Sequence, residues 1–508
     1  MLQLFIKHVS WLGPLGVVVF FGALAARCIY LLYFHPLAKY PGPRLAAVSY
    51  IWYARKWLQG RYPWAVEELF EKHGSEIVRV GPNEIAFRSP QAMHDIYMAT
   101  VRNRETFVKT EFQDLGGNDP GITAERDPER HREVAKQLVP AFSPRAMYAQ
   151  EEHVHRYVDL LVQQLDKHGG TSSNGVDMRE WFDWLVLDLA GYMAWCHEFN
   201  NLKNAETCFY LRESIKIGLF GTIRQVLRKF PLLFPLSPFF IPASVSRTIP
   251  MWMQFNRDIV AERLSKQEKL DGKDYFAWLL RDGSKTPSED WLVAQSNVLL
   301  AAGFDPLTNI LTSAVHYLCK TPRALERLST EVRDEFPTYS EIRADRLQSQ
   351  KYLQAVLDES MRIHTNAAFG LPRYSPGALV DGEYIPKGVT VQNASFATTH
   401  SPKYFLLPRE FWPERYLGPD DRWYDQRFEY DHKKAFKPFS IGPRACPGRE
   451  IGMMQARIAL AKLVWTYDME LLNPEVDWEK QSKLFLIWDR PEVRVRFRKR
   501  RIQDCSSN

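Results

Sequence analysis

Ten residues constrain this chain more than any other stretch: Phe439-Ser440-Ile441-Gly442-Pro443-Arg444-Ala445-Cys446-Pro447-Gly448. One cysteine sits in a frame of two glycines, two prolines and an arginine. A helical pattern follows at once in Met453, Met454, Ile458, Leu460, Ala461 and Val464. Cys446 is therefore expected in a tight loop entering a helix N-terminus, where orphan N–H groups and the helix dipole favour a thiolate. Gly442 and Gly448 let backbone approach something broad and flat. Arg444, two residues from the sulfur, can pair with a carboxylate. A buried free cysteine in a Gly/Pro turn is the plain alternative.

None of the six cysteines (Cys28, Cys196, Cys208, Cys319, Cys446, Cys505) forms a C-x-x-C pair, so no zinc or disulfide framework is expected. The net charge of +6 and pI near 8.8 fit acidic partners or a membrane surface better than nucleic acid. The dense basic run from Arg494 to Arg501 reads as a solvated tail. No G-x-G-x-x-G after a strand, no phosphate-binding P-loop and no G-x-S-x-G is found.

Trp11 to Ala26 is almost wholly apolar, and the run resumes from Cys28 to Phe34. Nineteen residues suffice to span a bilayer core. A cleaved signal peptide is disfavoured because the apolar run continues past Ala23-Leu24-Ala25. Lys7 on one side and Arg27, Lys39 and Arg44 on the other lean towards a cytosolic body. Tyr40-Pro41-Gly42-Pro43-Arg44 is a rigid linker. Beyond it, helices are expected at Pro63–His73 and from Asp127 through Leu138. Two more are expected between Glu151 and Asn201, and others at Phe255–Asp282, Asp290–Lys320, Arg323–Phe336 and Tyr352–His364. Strands are expected at 76–80, 84–87, 378–380, 383–385 and 389–391. Thr106 to Thr123 reads as a loop. Phe209 to Trp252 is apolar but broken by Pro231, Pro235, Pro238, Pro242 and Pro250, so it reads as two helices with an apolar loop.

The spacing F-x-x-G-x-R-x-C-x-G resembles the haem-ligand loop of the cytochrome P-450 superfamily, with every fixed position filled. The resemblance covers nearly the whole chain. It implies a mainly α fold with small β-sheets (α+β) preceded by one N-terminal transmembrane helix. Residues 1–34 would be the anchor, 35–45 a proline-rich hinge and 46–508 the catalytic body. It implies haem b, with Cys446 as the iron ligand whose electron push favours O–O cleavage, in a frame that includes Phe439 and Gly448. Arg444, Arg373 of Leu371-Pro372-Arg373, and His131 would hold the propionates, although His131 also reads as an ordinary surface helix residue. The family arginine four residues after His131 is Ala135 here, with Arg132 or Lys136 as substitutes. Glu359-Ser360-Met361-Arg362 and Pro413-Glu414-Arg415 resemble the family's structural Glu–Arg–Arg cluster. The look is that of fungal secondary-metabolism members, among them trichothecene-pathway hydroxylases. It implies an endoplasmic-reticulum, single-pass monooxygenase with a cytosolic body, an apolar terpenoid or polyketide substrate and an NADPH–cytochrome P-450 reductase. The family rests the Phe209–Trp252 loop on the bilayer.

One position departs from the pattern. In Ala302-Gly303-Phe304-Asp305-Pro306-Leu307-Thr308, Pro306 stands where the family has the threonine that steers protons. Thr308 lies about 200° further round the helix and does not replace it. Proline cannot donate to the Ala302 carbonyl and crowds it, so a bend and a free acceptor are expected. Asp305 remains as a proton relay beside Gly303. The loss keeps two alternatives open: a haem-thiolate isomerase or dehydratase that does not use dioxygen, and a non-catalytic haem-binding protein.

Overall fold

The computed structural model describes residues 2–101, 104–114, 119–170, 174–266, 274–279 and 288–500. Most of them are helical. The body is built round the long helix Glu289–Lys320, which packs on Met178–Trp195 and Lys351–Ile363. Ser288 caps its start by accepting from the Trp291 N–H at 3.3 Å, and Glu289 and Asp290 complement the dipole there. Leu311, Ala314, Val315 and Leu318 are fully buried in its second half. Helix Arg449–Thr466, which leaves the cysteine loop, buries Ile458, Leu460, Ala461 and Val464 against Pro144–His168 and Pro322–Glu335.

Five short strands form the main sheet, in the order Ile77–Gly81, Glu84–Phe87, Thr390–Asn393, Arg373–Tyr374 and Val108–Lys109. Thr390–Asn393 runs parallel to Glu84–Phe87, and the other pairs are antiparallel. The expected strands are present within a residue or two. The N-terminal helix Leu2–Ile29 continues into a π-turn at Tyr30–Phe34, and Gly16–Phe34 is long and apolar enough to cross a membrane. Glu289–Lys320 passes the same test of length and composition, but 61% of its apolar window is buried in the body.

Four sequence readings need correction. The basic run is not a tail: Arg494–Lys499 is a strand paired with both Tyr467–Leu471 and Val176–Asp177. It alternates, with Val495 and Phe497 buried and Arg496 and Arg498 turned out towards Glu470. A basic strand with every second residue apolar is amphipathic, and the charge count hid the period of two. Pro250 does not break its segment; it lies inside helix Ala243–Ser265. The helix expected to continue to Asp282 ends at Ser265, with Tyr275–Leu279 helical again and the rest of that stretch outside the described residues. The Thr106–Thr123 loop contains the strand Val108–Lys109 and the short helix Gly121–Ala124; its Gly116-Gly117-Asn118 lies outside the described residues, as do Arg501 and Cys505.

Candidate active site

Gly442–Arg444 forms a single 3₁₀ turn, and Gly448 stands at the N-cap of helix Arg449–Thr466. The Cys446 N–H donates to the Phe439 carbonyl at 2.9 Å, which closes the loop. Ser440 takes a left-handed φ of 59°, a strained conformation for a side chain with a Cβ. Cys446 is exposed as a residue, yet burial pushes its thiol pKa up, partly offset by the Gly448 N–H. A thiol with accessible surface and dense protein around it faces an internal hollow. The thiolate preference of the helix N-terminus is thus outweighed by burial in the protein alone. A coordinated metal ion reverses that balance, because it deprotonates the thiol outright.

The two loop glycines differ in role. Gly442 has φ 76°, and a Cβ there would fall 2.1 Å from the Tyr97 carbonyl oxygen. It seats the loop on helix Pro90–Tyr97 and does not open space for a ligand. At Gly448 a Cβ would come no closer than 3.8 Å to Cys446 Sγ and to Phe142. Phe142 and Tyr275, with ring centroids 5.1 Å apart, line this side, and Phe439 lies under the Arg449 guanidinium at 5.9 Å.

A cluster of cations stands on strands and loops near the cysteine loop. Arg373 and Lys109 are cross-strand partners in the main sheet. Arg373 Nη1 donates to the Leu371 and Pro372 carbonyls, both at 3.1 Å, and its guanidinium lies 5.3 Å from the Tyr97 ring centroid. Lys109 Nζ donates to the Thr123 carbonyl at 2.6 Å. Burial, then Arg373 and Arg444, drive the Lys109 pKa well below its ordinary value. His131, on helix Pro128–Leu138, is held to about 3 by burial and then by Arg444, Lys109 and Arg373. It is therefore a neutral imidazole and no cation. Arg444 donates to Glu105 through Nε at 2.9 Å and through Nη2, and to the Glu125 carbonyl at 2.6 Å. Its donors are largely spent, so it lends charge to the cluster rather than a free fork. Arg132 and Lys136 are exposed. Lys109, the cross-strand neighbour of Arg373, is a member of the cluster that sequence reasoning missed. The aromatic and β-branched pair Phe107-Val108 before it was the available strand signal.

In the middle of Glu289–Lys320, Ala301, Ala302 and Gly303 are exposed between buried Leu300 and Phe304. A Cβ at Gly303 would meet only Ala190 Cβ, at 3.6 Å, so its small size keeps space open. The helix runs unbroken through Pro306. Thr308 Oγ1 donates back to the Phe304 carbonyl at 3.0 Å and is fully buried, so its hydroxyl is spent. Next to the proline stands an amide pair: Asn309 Nδ2 donates to Asn366 Oδ1 at 2.6 Å, and Asn366 Nδ2 to the Pro306 carbonyl at 3.4 Å. Burial pushes Asp305 up to about 6 against the pull of Arg490 and the Trp488 N–H.

Glu359, Arg362 and Arg415 are all fully buried. Arg362 Nε lies 2.7 Å from Glu359 Oε2, and Arg415 Nε 3.0 Å from the same oxygen. Arg415 also pairs with Asp431, and Arg362 Nη1 donates to the Thr399 and Pro408 carbonyls at 2.8 and 2.7 Å. The cluster ties helix Lys351–Ile363 to the 3₁₀ turn Pro413–Tyr416 and its flanking loops.

The donor set fits haem. One soft thiol stands at a helix N-terminus, facing a hollow. Arg373, Lys109 and Arg444 are three basic side chains against one carboxylate, Glu105, while Glu125 is answered by Arg130 at 3.0 Å. Burial and the two arginines oppose the charge on Lys109, and an acidic group such as a propionate set beside it restores that charge. A cytochrome P450 family model matches residues 41–496. The chain belongs to the cytochrome P450 family. The family binds haem, and this chain is a P450 monooxygenase. It is 40% identical to the cytochrome P450 monooxygenase TwmD of Talaromyces wortmannii, covering 94% of each chain. It is 39% identical to the cytochrome P450 monooxygenase poxC of Penicillium oxalicum, over 94% of this chain and 93% of that one. Among solved structures, the cytochrome P450DA heme domain superposes with a TM-score of 0.69 at 18% identity, covering 86% of this chain and 92% of that chain. That likeness shows the fold.

Proposed function

We propose that the chain oxidises an apolar secondary metabolite, a terpenoid or polyketide, at the endoplasmic-reticulum membrane, with electrons from an NADPH–cytochrome P450 reductase. The observation that carries the reading is that Arg444, two residues from Cys446, belongs to one basic cluster with Arg373 and Lys109. In this reading Cys446 is the iron ligand, with Phe439 and Gly448 framing it. Arg373, Lys109 and neutral His131 hold the propionates, and Arg444 sets the local charge. Haem, when bound, supplies the dioxygen chemistry. The small residues Ala302 and Gly303 keep room for substrate, and Asp305 beside Pro306 holds the proton that the missing hydroxyl would otherwise handle.

The membrane part rests on Gly16–Phe34 and on a second apolar surface. Leu232 is 92% exposed and Phe239 85% exposed, in the segment between helices Phe209–Arg228 and Ala243–Ser265. Large apolar side chains in such positions mark an interaction surface, here the bilayer. The relatives named above are fungal monooxygenases, which supports the substrate class. The test is mass spectrometry of products from microsomes that contain the chain and its reductase, fed terpenoids and polyketides. NADPH-dependent products bearing one added oxygen atom, lost in Cys446→Ser, are expected. Isomerised or dehydrated products formed without NADPH would overturn the monooxygenase reading for this chain.

A further inference from the structure

The end of the N-terminal helix is built into the body. Leu31, in the last turn of the membrane-length stretch, is only 7% exposed, and Leu37 is fully buried among Ile77, Ile85 and Phe87. The π-turn closes with the His35 N–H donating to the Tyr30 carbonyl at 2.8 Å. The next carbonyl, that of Leu31, would take the N–H of residue 36, but Pro36 has none. Arg79, on strand Ile77–Gly81, supplies the missing donor: its Nη1 donates to the Leu31 carbonyl at 2.7 Å. The same guanidinium donates through Nη2 to the Pro82 and Ala47 carbonyls, at 2.7 and 3.3 Å, and through Nε to the Gly81 carbonyl at 3.3 Å. Arg79 is 2% exposed, and no carboxylate among the described residues pairs with it. One buried cation thus gathers carbonyls from the anchor's end, from helix Arg44–Val48 and from the turn after its own strand. The linker lies flat on that strand. The Arg79 N–H donates to the Pro41 carbonyl at 2.7 Å, and a Cβ at Gly42 would fall 2.3 Å from the Arg79 carbonyl oxygen.

The partner strand of the same hairpin holds the root of the exposed apolar surface. Glu84 opens strand Glu84–Phe87 opposite Gly81. Its buried carboxylate takes Lys229 Nζ at 2.8 Å. Lys229 closes helix Phe209–Arg228, three residues before Leu232. One turn earlier in that helix, Gln225 Oε1 accepts from the Tyr53 hydroxyl at 2.6 Å. A free chain over residues 35–45 would reach about 36–40 Å and leave the body to swing. Here the anchor and the apolar surface are fastened to the two strands of one hairpin.

Resting on the membrane reading above, we infer that hairpin 77–87 is a rigid brace between the anchor and the surface at Leu232 and Phe239. It holds the two membrane contacts at one mutual angle, so the body sits on the bilayer in a single orientation. Arg79 and Glu84 touch neither substrate nor haem ligand and are positioning residues. Pro36 is part of the device, because it leaves the Leu31 carbonyl open for Arg79.

The experiment uses the full-length holoenzyme in oriented phosphatidylcholine bilayers, where polarised absorption of the haem band reads the tilt of the body. Leu232→Ser with Phe239→Ser should leave the dichroism intact, because the brace still ties the body to the anchor. Adding Arg79→Met should abolish it, and adding Arg79→Lys, with one ammonium for four carbonyls, should fall between. A second readout needs no membrane. In detergent, trypsin can enter the joint at Lys39 and Arg44. Cleavage there should be about ten- to a hundredfold faster in Arg79→Met, the share of one hydrogen bond to a charged group. The thiolate carbon-monoxide spectrum should not change. Dichroism absent from membrane-bound wild type, lost in Leu232→Ser with Phe239→Ser alone, or kept after Arg79→Met is added overturns the brace. Wild-type cleavage in Arg79→Met overturns it too. If the chain does not sediment with vesicles but Arg79→Met is cut faster, the membrane reading fails and the joint stands. If Arg79→Met loses haem, Gly42→Ala, which lifts the linker from the strand and leaves the guanidinium in place, takes its part in both assays with the same expected outcomes.

Discussion

Replacing Glu359 by glutamine keeps the side chain's shape and removes one charge from the centre of the fold. Glu359 takes Arg362 Nε and Nη2 at 2.7 and 2.8 Å, Arg415 Nε at 3.0 Å and the Trp412 N–H at 2.9 Å, all without exposed surface on the charged partners. The amide leaves two buried guanidiniums answered only by carbonyls and Asp431. Breaking a buried ion pair from one side costs about 3–5 kcal/mol, against a typical margin of about 5–15 kcal/mol for a folded protein. The unfolded fraction should rise by roughly two to three and a half orders of magnitude. Parallel urea titrations, read by circular dichroism and by loss of the haem absorption band, measure it. Removing a second charge should return part of the loss, so Glu359→Gln with Arg415→Met should be less damaging than the sum of the two. The pH dependence has a definite sign. Burial opposes ionisation of Glu359, but Arg362 and Arg415 together hold its carboxyl below the ordinary value. Its contribution is present above about pH 4.3, the unfolded carboxyl value, and is lost as pH falls through the lower folded value. Wild type should lose that increment on acidification and Glu359→Gln should not. A variant with wild-type urea midpoints at neutral pH would refute the reasoning.

Lys109→Met should release haem to a scavenging globin about ten- to a hundredfold faster, the loss expected for one hydrogen bond to a charged group. Unchanged transfer would remove Lys109 from the propionate cluster. A form lacking residues 1–34 should still bind vesicles, and Leu232→Ser with Phe239→Ser should weaken that binding at least about a hundredfold, at roughly 1.5–3 kcal/mol per buried side chain. Sedimentation with vesicles checks it, and equal binding would place the patch elsewhere. Pro306→Thr restores a hydroxyl, so hydrogen peroxide released per NADPH should fall for substrates that carry no hydroxyl of their own. A positioned proton donor is worth about 10²–10⁴-fold, and equal coupling before and after would show that water held by Asp305 already suffices.

Much of this was legible in the residues because it depended on local spacing. The cysteine loop and the Glu359–Arg362 pair are each written in a few consecutive positions, and the long helix expected at Asp290–Lys320 is written in its apolar run. What stayed hidden depended on partners distant in sequence. Lys109 reads as a loop lysine until Arg373 becomes its cross-strand neighbour. Arg444 reads as a free fork until Glu105 takes it. Gly442 was read as ligand space because a glycine's reason, here the Tyr97 carbonyl, lies in the structure packed against it.

The strand Arg494–Lys499 also dates the folding of the chain. Val176–Asp177 waits for Val495 and Arg494, and Tyr467–Leu471 for the whole strand. During synthesis, at about 5–20 residues per second, the early half of that sheet therefore stays open for tens of seconds. By then the N-terminal apolar helix has long left the ribosome. That sheet closes only after the last strand emerges. A premature stop just before Arg494 would leave Val176–Asp177 and Tyr467–Leu471 as bare edges, a substrate for chaperones and proteases instead of a slightly shortened enzyme.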